Sequence, residues 1–167
     1  MRVLGIDPGL RITGYGCIEP APGGARIIEA GVFRLARKGE NGAGPSVSLR
    51  LVELDRDFRD LLARVTPDLV AVEGLFAHYK HPATAIVMGH ARGVLLLAAE
   101  QAGLPLVELK PTTVKKSLVG WGRADKSQMQ RAIQSELGLA ELPKPPDVAD
   151  ALAIALTALQ RSQNLMQ

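Results

Sequence analysis

Two short apolar runs in this chain each end in a single acidic residue. The first is Val3-Leu4-Gly5-Ile6, followed by Asp7, and the second is Leu69-Val70-Ala71-Val72, followed by Glu73. A run of four apolar residues is too short for a helix and is typical of a buried strand. Side chains at the ends of strands in an α/β sheet face the crevice in which ligands bind. The two runs therefore predict two buried strands that each carry an acid into a candidate site.

The remaining sequence alternates between strand and helix patterns. Residues 12–18, 26–35 and 104–109 are predicted to be further strands, with Pro22-Gly23-Gly24 as the turn between the first two. Helical spacing or composition is found in five segments, which are residues 49–65, 83–102, 111–119, 126–137 and 147–160. This order predicts an α/β fold with a mixed five-stranded sheet, an antiparallel hairpin followed by parallel crossovers, flanked by helices. We find no internal repeat and no domain boundary, so residues 1–167 are predicted to form a single domain.

The positive charge of the chain is concentrated in one segment. The net charge is only +3, and residues 1–109 contain equal numbers of basic and acidic side chains. Residues 110–131 carry six basic side chains against Asp125 alone. A patch of this kind attracts phosphates, which an average charge of this size does not.

The cysteine content and hydropathy indicate a compartment. Cys17 is the only cysteine, which excludes a disulfide framework and a Cys-based zinc site and is consistent with a reducing cytoplasm. No uninterrupted run reaches the ~18 apolar residues of a membrane span. We therefore expect a cytoplasmic protein that does not contact a membrane.

Two further acids begin the last predicted helix. Asp147 and Asp150 are three residues apart, which places both carboxylates on one helix face. Helix capping explains Asp147 equally well, whereas Asp150 lies between Ala149 and Ala151 in an apolar segment and is harder to explain by structure alone. Together with Asp7 and Glu73 they form an all-oxygen ligand set, which Mg²⁺ or Mn²⁺ prefers. Two such ions about 4 Å apart promote phosphodiester hydrolysis.

In these acids and in further motifs, the sequence resembles the RuvC family of bacterial Holliday-junction resolvases. The similarity covers nearly the whole chain, and the motifs occur in the family's order. These motifs are Gly5-Ile6-Asp7-Pro8-Gly9, Thr13-Gly14-Tyr15-Gly16, Val72-Glu73 with Phe76, Gly89-His90-Ala91-Arg92-Gly93, Val114-Lys115, Val119-Gly120, Asp125-Lys126-Ser127 and residues 147–155. Gly74 stands where many members carry Gln, and some members have His at the position of Asp147.

The resemblance implies a ribonuclease H-like fold and a metal-dependent endonuclease that cuts four-way junction DNA symmetrically during recombination and repair. It also implies a homodimer and a partnership with the RuvA and RuvB branch-migration complex. The implied cofactor is two Mg²⁺ ions per subunit, with Mn²⁺ as a substitute. The implied metal-binding and catalytic acids are Asp7, Glu73, Asp147 and Asp150, with Lys115 and Lys126 beside the scissile phosphate. The DNA-binding residues expected from the family and the basic patch are Phe76, Lys80, Lys115, Lys116, Arg123 and Lys126.

Several alternatives remain open from the sequence. Lys115 or Lys116 could face the scissile phosphate, although the register of the motif favours Lys115. The same fold class includes nucleases that process RNA, and a catalytically silent junction-binding module would also carry the basic patch. Four converging acids argue against a silent module, because without metal they repel phosphate. The helix at residues 83–102 offers one face for packing on the sheet and a second, apolar face that could contact another subunit.

Two groups of residues have simple structural interpretations. His78 and His81 have the spacing of a zinc motif, but no Cys accompanies them and surface histidines explain them better. Gly5, Gly9, Gly14 and Gly16 are expected to be tight-turn residues when each is considered alone.

Overall fold

The computed structural model of the protein describes residues 1–35, 44–74 and 82–164. The strands are β1 (Val3–Asp7), β2 (Ile12–Ala21), β3 (Gly24–Arg34), β4 (Leu69–Glu73) and β5 (Leu106–Leu109). The helices are α1 (Val47–Val65), α2 (Pro82–Gln101), α3 (Pro111–Val119), α4 (Lys126–Glu136) and α5 (Pro146–Asn164). The element order is the one that the sequence predicts. The first hairpin is longer than expected, because β2 and β3 stay paired as far as Ala21 and Gly24.

The five strands form one mixed sheet in the order β3-β2-β1-β4-β5. β1 pairs antiparallel with β2 and parallel with β4, and β4 pairs parallel with β5. The predicted antiparallel hairpin followed by parallel crossovers is therefore present. β1 lies at the centre, where the direction of pairing changes, so its last residue borders both halves of the sheet.

Helices cover both faces of the sheet, and the strands alternate between two cores. In β1, Leu4 and Ile6 belong to the core under α1 and α2, which includes Phe58 and Leu95. Val3 lies in the opposite core, with α5 and parts of α3 and α4. Successive side chains of a strand point to opposite faces. Asp7 therefore has the orientation of Val3 and lies on the α5 face of the sheet.

The strand glycines allow α5 to lie directly on the sheet. A Cβ on Gly5 would be 2.2 Å from the backbone oxygen of Ala151, and one on Gly14 would be 2.1 Å from the oxygen of Asp147. Gly5, Gly14 and Gly16 lie within β1 and β2, so the interpretation of these three as tight-turn residues is wrong. Their physical role is close approach, because a side chain at these positions would push the helix off the sheet.

Helix α2 is apolar on two sides. Ala91, Leu95, Ala98 and Ala99 are buried in the core that α1 shares. The segment Ala83–Gln101 is the one helix among the described residues that is long and apolar enough to cross a membrane, by length and composition. Of this apolar stretch, 22% is buried inside the molecule. His90, Arg92 and Glu100 interrupt this segment, so it contains no uninterrupted apolar run as long as a membrane span.

Candidate active site

Asp7 and Glu73 end two adjacent parallel strands on the same face of the sheet. Ile6 of β1 is in register with Val72 of β4, so the two acids follow neighbouring positions. Glu73 has the orientation of Ala71, which lies in the α5 core. Both carboxylates are therefore directed to the face that α5 covers, at the carboxyl ends of β1 and β4.

Helix α5 brings Asp147 and Asp150 to the same edge. Gly14 pairs with Asp7 across β1 and β2, and its α-carbon lies against the backbone of Asp147. The first turn of α5 consequently lies over the end of β1. Within the described residues, the Asp147 carboxylate accepts no hydrogen bond from the helix backbone, so helix capping does not account for it.

The pKa values of three of these acids are raised by burial and by one another. Burial, followed by the charges of Glu73, Asp150 and Asp147, raises the pKa of Asp7 to about 8. Burial and the charge of Asp150 raise the pKa of Glu73. Burial raises the pKa of Asp150, with Asp147 adding to it. The four predicted acids therefore interact as one cluster, and the cluster is unfavourable without a compensating cation.

Two lysines oppose this negative charge. Lys126 is the first residue of α4, which begins there because Asp125 caps the helix and forms a capping box with Gln128. The charge of Lys126 opposes the increase in the pKa values of Asp7, Glu73 and Asp150. The only acid of the basic segment thus fixes the start of the helix that presents this lysine to the carboxylates.

Lys115 is the second lysine of the cluster. It is half-buried on α3, and its charge lowers the pKa values of Glu73 and Asp150. Its Nζ also donates a hydrogen bond of 2.7 Å to the backbone oxygen of Ala124. Lys115 therefore holds the segment before α4 in place, whereas Lys116 is exposed and lines a different cavity. Of the two lysines, only Lys115 acts on the carboxylates, and its place beside the scissile phosphate stays a prediction.

The chain matches a family model described as crossover junction endodeoxyribonuclease RuvC over residues 3–158. The chain belongs to the RuvC family. A RuvC from Caldicellulosiruptor saccharolyticus is 43% identical over 99% of this chain and 96% of its own length. One from Rhodopirellula baltica is 46% identical over 92% of this chain and 83% of its own length. Members of this family are nucleases that resolve Holliday junctions, so the predicted resolvase activity is confirmed over the RNA-processing and silent-module alternatives.

Solved structures confirm the fold. Thermus thermophilus RuvC superposes with a TM-score of 0.82 at 33% identity, covering 98% of this chain and 97% of that one. A second structure of T. thermophilus RuvC, in complex with a Holliday junction substrate, gives a TM-score of 0.82 at 32% identity over 98% of this chain and 96% of that one. The yeast mitochondrial Holliday junction resolvase Ydc2, at 17% identity and a TM-score of 0.69 over 98% of this chain and 81% of that one, shares the fold. The predicted ribonuclease H-like architecture is therefore correct.

Metal dependence is general in the RuvC family, and the donor chemistry here fits a hard cation. Four carboxylates from β1, β4 and α5 face one edge of the sheet. The charge of Asp150 contributes to the raised pKa values of Asp7 and Glu73. Within the described residues, no group of three or more His, Cys, Asp or Glu side chains is already arranged around a point that could hold an ion. Like charges repel, so a cation would stabilise an arrangement in which these carboxylates converge.

Arg92 also contacts this region, a role that the sequence patterns did not predict. Its Nε donates a hydrogen bond of 3.3 Å to the backbone oxygen of Glu73, and its Nη2 forms an ion pair with Glu108. Only 11% of the Arg92 side chain is exposed. Arg92 therefore links α2 and β5 to the end of β4. The sequence feature that could have indicated this role is a single arginine among small residues in the Gly89-to-Gly93 motif.

The remaining predicted residues are distributed differently. Arg123 and Lys116 are exposed, on the loop before α4 and on α3. Phe76 and Lys80 lie outside the described residues, as do His78 and His81. A cavity of about 720 Å³ opens beside Asp147 between the β1–β2 turn, α1 and α2, and Arg11 and Arg50 line it. The site thus adjoins a basic cavity on one side and the basic segment on the other.

Proposed function

We propose that Asp7, Glu73, Asp147 and Asp150 bind two Mg²⁺ ions and that this chain cuts Holliday-junction DNA at this site. The observation that carries the proposal is the shared electrostatics of the cluster, in which Asp7 reaches a pKa of about 8 through burial and the charges of the other three acids. Mn²⁺ has similar ligand preferences and is expected to substitute. Relatives with the same family description are endodeoxyribonucleases, and T. thermophilus RuvC binds a Holliday junction substrate.

The residues of the chain divide the work by position. When bound, the metal ions activate water and stabilise the oxygen that leaves the phosphodiester. Asp7, on which the charges of the other three acids act, would hold the ions together with Glu73, Asp147 and Asp150. Lys126 and Lys115 stabilise the non-bridging phosphate oxygens as negative charge develops on them. Arg92 acts as a positioning residue, because its bond to the Glu73 backbone fixes the end of β4.

The DNA is held by the basic segment and by residues beyond the described ranges. Arg123 and Lys116 are exposed and bind backbone phosphates, and we assign the same role to Lys80. Phe76 stacks against an unpaired base of the junction, an interaction worth ~1–3 kcal/mol. These roles rest on the resemblance and on the charge of the segment.

We assign the homodimer to α2. Ile86 and Leu97 are 61% and 57% exposed, and His90 and Gly93 are exposed between them. The spacing of four, three and four residues places these positions on one helix face. A Cβ on Gly93 would meet nothing within 4 Å, so a second helix has room to approach. Ile86 and Leu97 are equally far in sequence from the midpoint of His90 and Gly93, so an antiparallel copy pairs this stripe with itself, as two-fold symmetry requires.

Leu97→Glu is expected to convert the dimer into a monomer. Burying an unpaired carboxylate in an apolar interface costs several kcal/mol, whereas the exposed position tolerates it in the free chain. Sedimentation equilibrium should show the change in mass, and symmetric paired nicks should be lost with it. Val52→Glu is the matched control, since Val52 is an apolar residue of α1 that is 68% exposed. A monomer from Val52→Glu and a dimer from Leu97→Glu would place the interface on the wrong helix.

We extend the proposal to the wider setting of the reaction. A dimer that cuts two strands of a junction leaves arms on which a RuvA and RuvB complex can act, and this partnership follows from the family resemblance. The cytoplasm is the expected location, and Cys17 is buried with its pKa raised by burial to about 11, which keeps its thiol protonated and unreactive.

A cleavage assay on defined substrates tests the proposal. The protein is incubated with Mg²⁺ and end-labelled DNA in three forms: a four-way junction, the linear duplex made of the same arms, and an RNA duplex of the same sequence. We expect paired nicks at symmetric positions in the junction alone. Equal cutting of linear duplex, or cutting confined to RNA, would contradict the proposed substrate. Cutting in a chelator would contradict the metal.

A further inference from the structure

A second basic cavity lies on the far side of α3 from the carboxylates. Its volume is about 440 Å³, and its lining residues are Thr112, Thr113, Lys116, Ser117, Gly122, Thr157 and Arg161. The four residues of α3 occupy two rows of i and i+4 neighbours, so they form one helix face. Thr157 and Arg161 are likewise one turn apart on α5. Two helices therefore direct hydroxyl and cationic side chains into one concave space.

The charges of this cavity are not compensated. Within the described residues, neither Lys116 nor Arg161 has an ion-pair partner, and no acidic side chain lines the cavity. Two unpaired cations beside three exposed or half-buried hydroxyls form the donor set that phosphate oxygens accept.

Thr157 supplies an independent observation. Its side chain is completely buried, and its Oγ1 has no hydrogen-bond partner. A buried hydroxyl without a partner is unfavourable in the free protein, because it has lost water and gained nothing. Ser117, by contrast, already donates its hydroxyl to Gln160 at 3.1 Å. Thr157 is thus the member of the lining with an unused donor.

We propose that this cavity binds a backbone phosphate of the junction DNA away from the scissile one. The inference rests on the proposed function, since it takes the DNA as ligand. Seven residues of α5 separate Asp150 from Thr157, and eleven separate it from Arg161, which correspond to rises of about 10 and 16 Å. Phosphates of one strand follow each other every ~3.4 Å along a duplex. The phosphate bound in the cavity is therefore a different one from the scissile phosphate.

This assignment gives Lys115 and Lys116 separate roles. Residues next to each other on a helix point about 100° apart, and only Lys115 acts on the carboxylates. Lys116 and Arg161 fix the strand at a second point, which sets the register of the scissile phosphate over the acids. The cavity is thus a positioning site for the same strand rather than a second catalytic site.

Junction binding at varied salt concentration tests the charges. Measurements are made with a chelator, so that the junction stays intact, for the wild type, Lys116→Gln, Arg161→Gln and the double variant. The double change should lower the slope of log K against log [salt] by about 1, the value for one phosphate contact, and each single change should lower it by part of that amount. Arg56→Gln, which removes an exposed arginine paired with Asp57 on α1, is the matched control and should keep the wild-type slope. Unchanged slopes in all variants would overturn the proposal.

Neutral methylphosphonate linkages locate the phosphate. Placed one at a time along the cleaved strand, they should weaken wild-type binding several-fold at one position away from the cut. The double variant should lose this sensitivity at that position alone. Sensitivity that persists unchanged in the double variant would assign the phosphate to other residues and overturn the proposal.

Inorganic phosphate distinguishes a free anion from the DNA backbone. Trp121 is the only tryptophan of the chain and is next to Gly122 of the lining, so its fluorescence reports on the cavity. We expect weak phosphate binding that Thr157→Val reduces, while the melting temperature of this variant equals or exceeds that of the wild type because an unpaired hydroxyl is removed. Phosphate binding with unaltered salt slopes would make the ligand a free anion and overturn the DNA assignment.

The two proposals fail in distinguishable ways. Cleavage of the junction by the wild type establishes the proposed function without any of these variants. If the wild type cuts and the double variant binds with the wild-type slope, only the second site is refuted. If the wild type neither binds nor cuts the junction, the proposed function is refuted, and the fluorescence titration still decides whether the cavity holds phosphate.

Discussion

Asp7→Asn is expected to abolish junction cleavage while leaving junction binding intact. The change removes the acid on which the charges of all three others act, so the proposed metal site would lose a ligand. We expect the single-turnover cleavage rate to fall by ~10²–10³-fold or more, as for the loss of a group that stabilises charge in the transition state. Binding should persist because the basic segment is unchanged. Asp60→Asn, at an exposed position of α1, is the matched control and should cut at the wild-type rate.

The same variant should make the metal-free protein more stable at high pH. The pKa of Asp7 is raised from 3.8 to about 8 in the folded chain. Between these values the native state binds a proton that the unfolded state has released, so stability falls progressively as the pH rises from 3.8, and the loss is complete above about 8. Asparagine stays neutral and removes this loss, which is on the order of several kcal/mol because each pKa unit is worth about 1.4 kcal/mol.

Thermal denaturation in a chelator at pH 5 and pH 9 measures this effect. The wild type should lose melting temperature between the two values, and Asp7→Asn should lose less. Saturating Mg²⁺ should raise the wild-type melting temperature at pH 9 more than at pH 5, because the carboxylates must be deprotonated to bind the ion. Identical pH profiles for the two proteins would mean that Asp7 is not in a buried acidic cluster, and full cleavage by Asp7→Asn would refute its assignment to the site.

The sequence was sufficient for the fold and for the position of the acids because both follow from short-range patterns. Four apolar residues followed by an acid place Asp7 and Glu73 at strand ends, whereas the adjacency of β1 and β4 comes from the strand order of the sheet. The spacing of Asp147 and Asp150 fixes their helix face. What joins the two pairs is tertiary, and the raised pKa values result from it.

Other features depend on contacts that sequence patterns do not contain. Whether Lys115 or Lys116 faces the acids depends on the rotation of α3, which is fixed by packing against α5 and by the bond to Ala124. The role of Arg92 depends on its distance to a backbone oxygen nineteen residues earlier. Gly5 and Gly14 look like turn residues in the sequence, since only the position of α5 shows that a side chain has no room there.

Gly5→Val is expected to unfold the protein or displace α5 from the sheet. A Cβ at this position would lie 2.2 Å from the oxygen of Ala151, 2.5 Å from the nitrogen of Ala155 and 2.8 Å from its Cβ. Two of these atoms belong to the helix backbone, so no rotamer change relieves the contact. Gly5 also lies against the part of α5 that directly follows Asp147 and Asp150. If the helix is displaced there, both acids move with it. We expect a loss of about 4 kcal/mol or more in the free energy of unfolding, which is the range reserved for core disruption.

Chemical denaturation of the variant and cleavage by its folded fraction check this expectation. Gly44→Ala is the matched control, because a Cβ there meets nothing within 4 Å, and its stability should be unchanged or slightly higher. Gly5→Ala adds only the Cβ to which these distances refer, so it should already displace α5 and lower both the stability and the cleavage rate, though by less than Gly5→Val with its two further methyl groups. Wild-type stability of Gly5→Val would mean that α5 does not lie against β1, and the geometry that brings Asp147 and Asp150 to Asp7 would then be wrong.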